Sequence, residues 1–209
     1  MDGEKRRYEK KRRAELEERT RLRITESAVQ MHGTLGPSRT SISAVAQRAG
    51  VRRSTVYRHF PDETSLFAAC TSHWMASNPV PDLRPWMAID DPDERLSAAL
   101  SELYAHYHRT ERMMVNILRD GDTMPIVKQM LGGYRDYIMA AREALMAGRR
   151  ARGRARQQVL AALGHTLAFS TWRSLVREQG LGDRQAADLM CLLVKAAARS
   201  LPVGSLAPV

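Results

Sequence analysis

Cysteine is nearly absent from this chain. Cys70 and Cys191 lie too far apart in sequence to form a zinc knuckle, and two cysteines among 209 residues make no disulfide framework. Both read as reduced thiols in a helical core. Long apolar runs are missing as well. Nothing approaches the roughly 18 uninterrupted apolar residues of a membrane span. No apolar stretch follows the basic opening MDGEKRRYEKKRR, so no secretory signal is expected, and a cytoplasmic address without a membrane partner is expected. Strand signals are thin. There is no glycine-rich phosphate loop, no metal-ligand cluster of the HExxH kind and no serine nucleophile elbow. The histidines at 32, 59, 73, 106, 108 and 165 are scattered, and the spacing of His106 and His108 turns them to different sides of a helix. The expectation is no enzyme, no metal and no cofactor.

What the chain does have is positive charge: 33 Lys and Arg against 23 Asp and Glu, a formal net +10. That excess favours a polyanionic partner such as nucleic acid. An anionic membrane surface is compatible with the charge, but the basic stripe lies on a polar helix without the aromatic-rich apolar face that membrane docking uses. A hydrophobic fraction of 44% with 27% charged residues is that of an ordinary soluble protein, and abundant Ala, Leu, Arg and Met favour helix. The expected fold class is all-α.

Residues 4–23 alternate basic and acidic side chains, and pairs such as Glu9 with Arg13 and Glu15 with Arg19 support a solvated helix whose first residues fray. From Leu22 onward Ile24, Ala28 and Met31 make one apolar stripe, which ends near His32 and Gly33. Gly36 and Pro37 prevent the helix from continuing. A second helix is expected over 41–49, capped by Thr40 or Ser41, and a third over 52–59, ending before Pro61. A fourth runs from Glu63 to about 76 with Asp62 as its cap. Pro79, Pro81 and Pro85 then exclude a helix interior. They divide the chain into a first helical domain with a basic arm at 1–78, a linker at 79–85 and a second helical domain at 86–209. In the second domain helices are expected over 93–109, 111–119, 125–147, 155–179 and 183–201.

The segment 40–60, TSISAVAQRAGVRRSTVYRHF, is the most informative. Ile42, Val45, Ala46 and Ala49 make the inner face of one short helix, Gly50 supplies a turn residue able to adopt a left-handed backbone, and Val51 returns to the core. Val56 and Phe60 face inward from the next helix. That leaves Arg52, Arg53, Ser54, Thr55, Tyr57, Arg58 and His59 outside, nearly all cationic or hydrogen-bonding, as a helix lying in a major groove requires. Three arginines on a short helix alone would be an ordinary solvated face. The helix-turn-helix pattern before them is what points to double-stranded DNA.

These residues resemble the TetR-type transcriptional regulators. The likeness lies in Thr40, in Ala46-Gln47-Arg48-Ala49-Gly50-Val51, in Tyr57-Arg58-His59-Phe60 and in Leu66. It covers 24–69 in detail and the remainder only as a helical domain of fitting length. The resemblance implies that Thr40, Tyr57 and His59 contact phosphates, and that Ser43, Arg52, Arg53, Ser54 and Arg58 reach base edges or nearby phosphates. Glu63 departs from the pattern, because relatives often carry a backbone-gripping lysine there. The basic arm before Leu16 either compensates or is a solubilising tail. The resemblance further implies a homodimer presenting two recognition helices ~34 Å apart to a palindromic operator. A small-molecule effector in the second domain would release the DNA, with repression the family's usual outcome. A sequence-indifferent, architectural DNA-binding protein is the alternative.

In the second domain, Tyr104, Tyr107, His108, Met113, Asn116, Ile117, Tyr134 and Tyr137 lie on central helices as ligand candidates, with Arg119 and Asp120 placed to orient a ligand. Core filling competes for each of them, and loop anchoring for Arg119 and Asp120. Trp172 is a ligand candidate or a core residue. On the last two helices Leu160, Leu163, Leu167 and Ser174, then Ala186, Met190, Leu193 and Ala197, form an apolar surface broad enough for more than one neighbour, the pattern of a four-helix dimer interface. The arginine run over 149–156 reads as a solvated loop.

Overall fold

The computed structural model describes residues 2–199, and every regular element in that span is helical. In chain order these are α1 (Asp2–Thr34), a 3-10 turn (Pro37–Arg39), α2 (Ile42–Arg48), α3 (Arg53–His59), α4 (Glu63–Ser77) and α5 (Leu83–Met87). Next come α6 (Pro92–Gly121), α7 (Pro125–Met130), α8 (Gly132–Met146), α9 (Gly153–Thr166), α10 (Phe169–Arg173), a π-turn (Ser174–Glu178) and α11 (Asp183–Ala198). The expected end of the last helix, at Leu201, lies outside the described residues.

The chain packs as two compact units. The first comprises the residues up to Pro79 together with Glu111–Leu131, and the second comprises Val80–Thr110 together with the chain from Gly132 onward. Helix α6 therefore contributes to both. The sequence places 111–131 with the second domain; they group with the first because Asn116, Arg119 and Asp120 bond to the chain between α1 and α2.

In the first unit, Ile24, Ala28 and Met31 of α1 meet Val45, Ala46 and Ala49 of α2 and its cap, Val56 and Phe60 around α3, and Leu66 and Cys70 of α4. Burial of each larger side chain contributes about 1.5–3 kcal/mol. Local signals fix the ends. Ser41 Oγ accepts from the Ala44 amide at 3.2 Å, and Asp62 forms a capping box with Ser65, accepting from its amide at 2.7 Å. The Cys70 thiol donates to the Thr25 carbonyl, and burial pushes it up to about 12, so it stays protonated. His32 is buried and stacked on Phe67 with ring centroids 4.8 Å apart, and burial lowers its pKa to about 4, leaving the ring neutral at physiological pH.

The second unit departs from the expected helix boundaries. The helices expected over 93–109 and 111–119 are one, α6, because Thr110 is buried with its hydroxyl donating to the His106 carbonyl at 2.7 Å. The helix expected over 125–147 divides at Leu131, just before Gly132 and Gly133. The one expected over 155–179 breaks at Leu167 and Ala168, where tyrosine hydroxyls take over carbonyls that helix amides would otherwise serve. Tyr104 donates to Thr166 O at 2.9 Å and Tyr107 to Leu167 O at 2.6 Å. Within the expected linker, Asp82 caps α5 by accepting from the Arg84 amide, and Pro85 sits in the first turn, where its missing N–H is tolerated.

Two arginines fasten this unit. The buried Arg95 guanidinium donates to four carbonyls, those of Ile89, Asp90, Ala144 and Ala147, at 2.7–3.3 Å. Arg149 bonds Leu145 O, Pro92 O and the Asp93 carboxylate. Cationic donors thus gather at the C-terminal end of α8, where carbonyls lack helix partners and the dipole is negative. The solvated loop expected over 149–156 is corrected at Arg149, whose side chain is 7% exposed, and at 153–156, which begin α9; Arg150 and Arg152 are exposed in the loop, Arg154 and Arg156 on the helix.

Candidate nucleic-acid interface

The surface of α3 is set by the turn before it. Gly50 has φ 63°, a left-handed conformation that costs a residue with a Cβ about 1–2 kcal/mol. The turn is closed by the Val51 amide donating to Ala46 O at 3.0 Å. Val56 and Phe60 then point inward, leaving Arg52, Arg53, Ser54, Tyr57 and Arg58 exposed on α3 and at its cap. Thr55 is half-buried, and Ser43 is exposed on α2. Arg53 donates to the Tyr57 hydroxyl at 3.0 Å and lies over its ring at 5.4 Å, which holds both side chains on the outer face. No carboxylate pairs with Arg52, Arg53 or Arg58 in the salt bridges among the described residues.

Two candidates sit differently. The Thr40 hydroxyl donates to Gly36 O at 2.8 Å, so its proton is committed inside the domain. His59 is half-buried with Nε2 enclosed and unpartnered among the described residues. Burial lowers its pKa, as do the charges of Arg58 and Arg21. A neutral ring with that nitrogen enclosed is a weaker phosphate ligand than the exposed tyrosine and arginines beside it.

Residues that are not among the DNA-contact candidates hold this face in place. Arg21 Nη1 donates to the His59 carbonyl at 2.8 Å, and its guanidinium lies 4.4 Å from the Phe60 ring centroid, so α1 anchors the C-terminal end of α3. Arg48 bonds Gln30 Oε1 through Nε and Nη2, tying α2 to α1. Neither contact has a sequence spacing that could have announced it.

Residues 24–70 match the family described as bacterial regulatory proteins, tetR family. The chain carries the helix-turn-helix DNA-binding domain of the TetR family. Its whole fold agrees. A TetR-like regulator from Rhodococcus sp. RHA1 superposes with a TM-score of 0.65 at 18% identity, covering 87% of this chain and 97% of that one. A TetR-family regulator from Streptomyces coelicolor gives 0.56 at 17% identity, covering 86% and 79%. A second Rhodococcus regulator gives 0.53 at 21%, covering 87% and 99%. Among curated proteins no sequence matches this one.

The ligand candidates are divided between the two units. In the first, Asn116 donates to His32 O and Gly33 O at 3.1 and 3.0 Å. Arg119 pairs with Asp120 at 2.7 Å and donates to Leu35 O, while Asp120 accepts from the Ser38 amide at 2.9 Å. Burial pushes the Asp120 carboxyl up, but the bonds from Arg119 and Ser38 outweigh it and hold the pKa below the ordinary value. These three side chains are committed to the chain between α1 and α2. Met113 lies near Gly33 and, like Ile117, is half-buried.

In the second unit, Tyr104, Tyr107 and Trp172 are fully buried, and Tyr134 shares a 2.9 Å bond with the Tyr107 hydroxyl. The Tyr137 hydroxyl is enclosed with no partner among the described residues. His108 is exposed and pairs with Asp183, which also accepts from Trp172 Nε1. Phe169, absent from the candidates, meets Tyr107 edge-on at 5.3 Å. Of the dimer candidates, Leu163, Leu167, Ala186 and Met190 are buried within the protomer; Leu160, Ser174 and Ala197 are half-buried. Leu193, the remaining candidate, is exposed and shares the solvent-facing apolar stripe of α11 with Leu189, Leu192 and Ala196.

Proposed function

We propose that this DNA-binding regulator is a cytoplasmic homodimer that binds a palindromic operator and is released from it by a small molecule, acting as a repressor. The observation that carries the reading is the arginine-bearing face of α3, held outward by the left-handed turn at Gly50 and without a carboxylate partner among the described residues. Arg52, Arg53 and Arg58, with Ser43, Ser54, Thr55 and Tyr57, supply base-edge and phosphate contacts. A bidentate arginine on guanine is worth roughly 1–3 kcal/mol of discrimination. The protomers pair through α9 and α11, with Leu189, Leu192 and Leu193 at the seam. The effector binds among the tyrosines and Trp172 of the second unit, and α6, which serves both units, passes the change to the Asn116, Arg119 and Asp120 bonds. Coupling of about 1–3 kcal/mol would weaken operator binding some five- to 150-fold.

Selection of bound duplexes from a random pool, repeated with candidate ligands, tests this reading. The expected result is one inverted repeat that is lost with one compound. Arg53→Ala should change the preferred sequence. Equal recovery of all duplexes at fixed salt would leave only an architectural binder, and an inverted repeat that no compound removes would sink the release mechanism.

A further inference from the structure

Helix α1 begins far ahead of the core it serves. Its first fully buried side chain is Ile24, and every side chain described between Glu4 and Arg19 is exposed. Over 4–13 the sequence places Lys5, Arg6, Arg7, Lys10, Lys11, Arg12 and Arg13 against Glu4 and Glu9 alone. Glu15, Glu17 and Glu18 come next. The helix carries this segment on from the C-terminal end of α3, where Arg21 is bound to the last carbonyl of that helix and stacked on Phe60. Glu17 and Glu18 lie close enough to His59 to favour its protonated form.

We infer that residues 4–13 are a second DNA-contacting element, a helical arm that lies along phosphates flanking the site read by α3 and lengthens the footprint without adding sequence preference. The inference rests on the DNA-binding reading above. At ~1.5 Å per residue, Arg13 stands ~12 Å and Glu4 ~26 Å along the helix from Arg21, a reach of up to about seven base pairs at ~3.4 Å each. The acidic band at 15–18 repels phosphate beside the end of α3 and so separates the two contact zones. Successive helical positions 6, 7, 10, 11, 12 and 13 spread cations around the helix, which suits delocalised phosphate charge. A membrane surface would need an apolar face that this segment lacks.

The test compares the full chain with a variant in which Arg6, Arg7, Lys10, Lys11, Arg12 and Arg13 are changed to Gln, a residue of similar helix propensity. Both should select the same duplex motif. On that motif with long flanks of unrelated sequence, the full chain should bind more tightly than on the motif with short flanks, and the variant should not. If the arm neutralises about three phosphates, the flank advantage should fall about 40-fold between about 50 and 200 mM salt. An affinity independent of flank length in the full chain, an equal gain in the variant, or a gain confined to one flank sequence would overturn the arm. Failure of the full chain to select any motif would instead overturn the operator reading on which the arm depends.

Discussion

The helix-turn-helix core and the second unit are assembled by different means. In the former, the turn and the helix starts are set by bonds short in sequence: Ser41 to Ala44, Asp62 to Ser65, and the Ala46–Val51 turn around a left-handed glycine. In the latter, Arg95 reaches carbonyls 49 and 52 positions away, and Tyr104 and Tyr107 reach carbonyls 62 and 60 positions away. Locally closed structure tolerates the loss of one signal, because its neighbours still specify the turn. A unit pinned by a few long-range donors concentrates its stability in them.

The largest effect should therefore come from Arg95. Arg95→Met keeps the stem but removes every donor from four carbonyls, and the protein should lose about 3–5 kcal/mol in urea unfolding, since each buried acceptor left unmade costs about 1–3 kcal/mol. A loss below about 1 kcal/mol would mean that water replaces the guanidinium, and the contrast between the units would weaken.

Acid should strike the first unit instead. His32 has its pKa lowered from 6.5 to about 4 by burial, with Asp120 opposing, so the unfolded chain takes up its proton before the folded one does. Its contribution is whole above pH 6.5 and drains away between pH 6.5 and about 4, up to about 3 kcal/mol in all. His32→Gln should flatten the fall in urea midpoint between those two pH values. A slope unchanged in the variant would place the acid-sensitive group elsewhere.

The same contrast explains which features the sequence announces. The turn at Gly50, the cap Asp62 and the outward arginines of α3 are legible because each is a local pattern with one geometric meaning, whereas the cap before α2, open between Thr40 and Ser41 in the sequence, is Ser41. The junction at Leu167 is not, since nothing near it says that two tyrosines sixty positions earlier will claim its carbonyls. Helix α11 carries two apolar stripes, Ala186, Met190 and Val194 on one side and Leu189, Leu192 and Leu193 on the other, and periodicity alone does not say which turns inward. Arg119 and Asp120 suit a ligand or a loop equally well by sequence; the Ser38 amide and Leu35 carbonyl decide for the loop.

The smallest expected effect is also the sharpest test. At Gly50 an added Cβ would meet nothing within 4 Å, so Gly50→Ala carries only the strain of φ 63°, about 1–2 kcal/mol, and should leave the selected duplex sequence unchanged. At Gly36 the backbone is also left-handed, φ 95°, but a Cβ there would collide with the Arg119 guanidinium and the Asp120 carboxylate. Gly36→Ala must strain the backbone and also displace the side chains that tie residues 35–38 to α6, so it should destabilise more than Gly50→Ala in parallel urea titrations. Were the order reversed, the turn before α3 would depend on more than its own backbone geometry, and the local closure claimed for the reading head would fail.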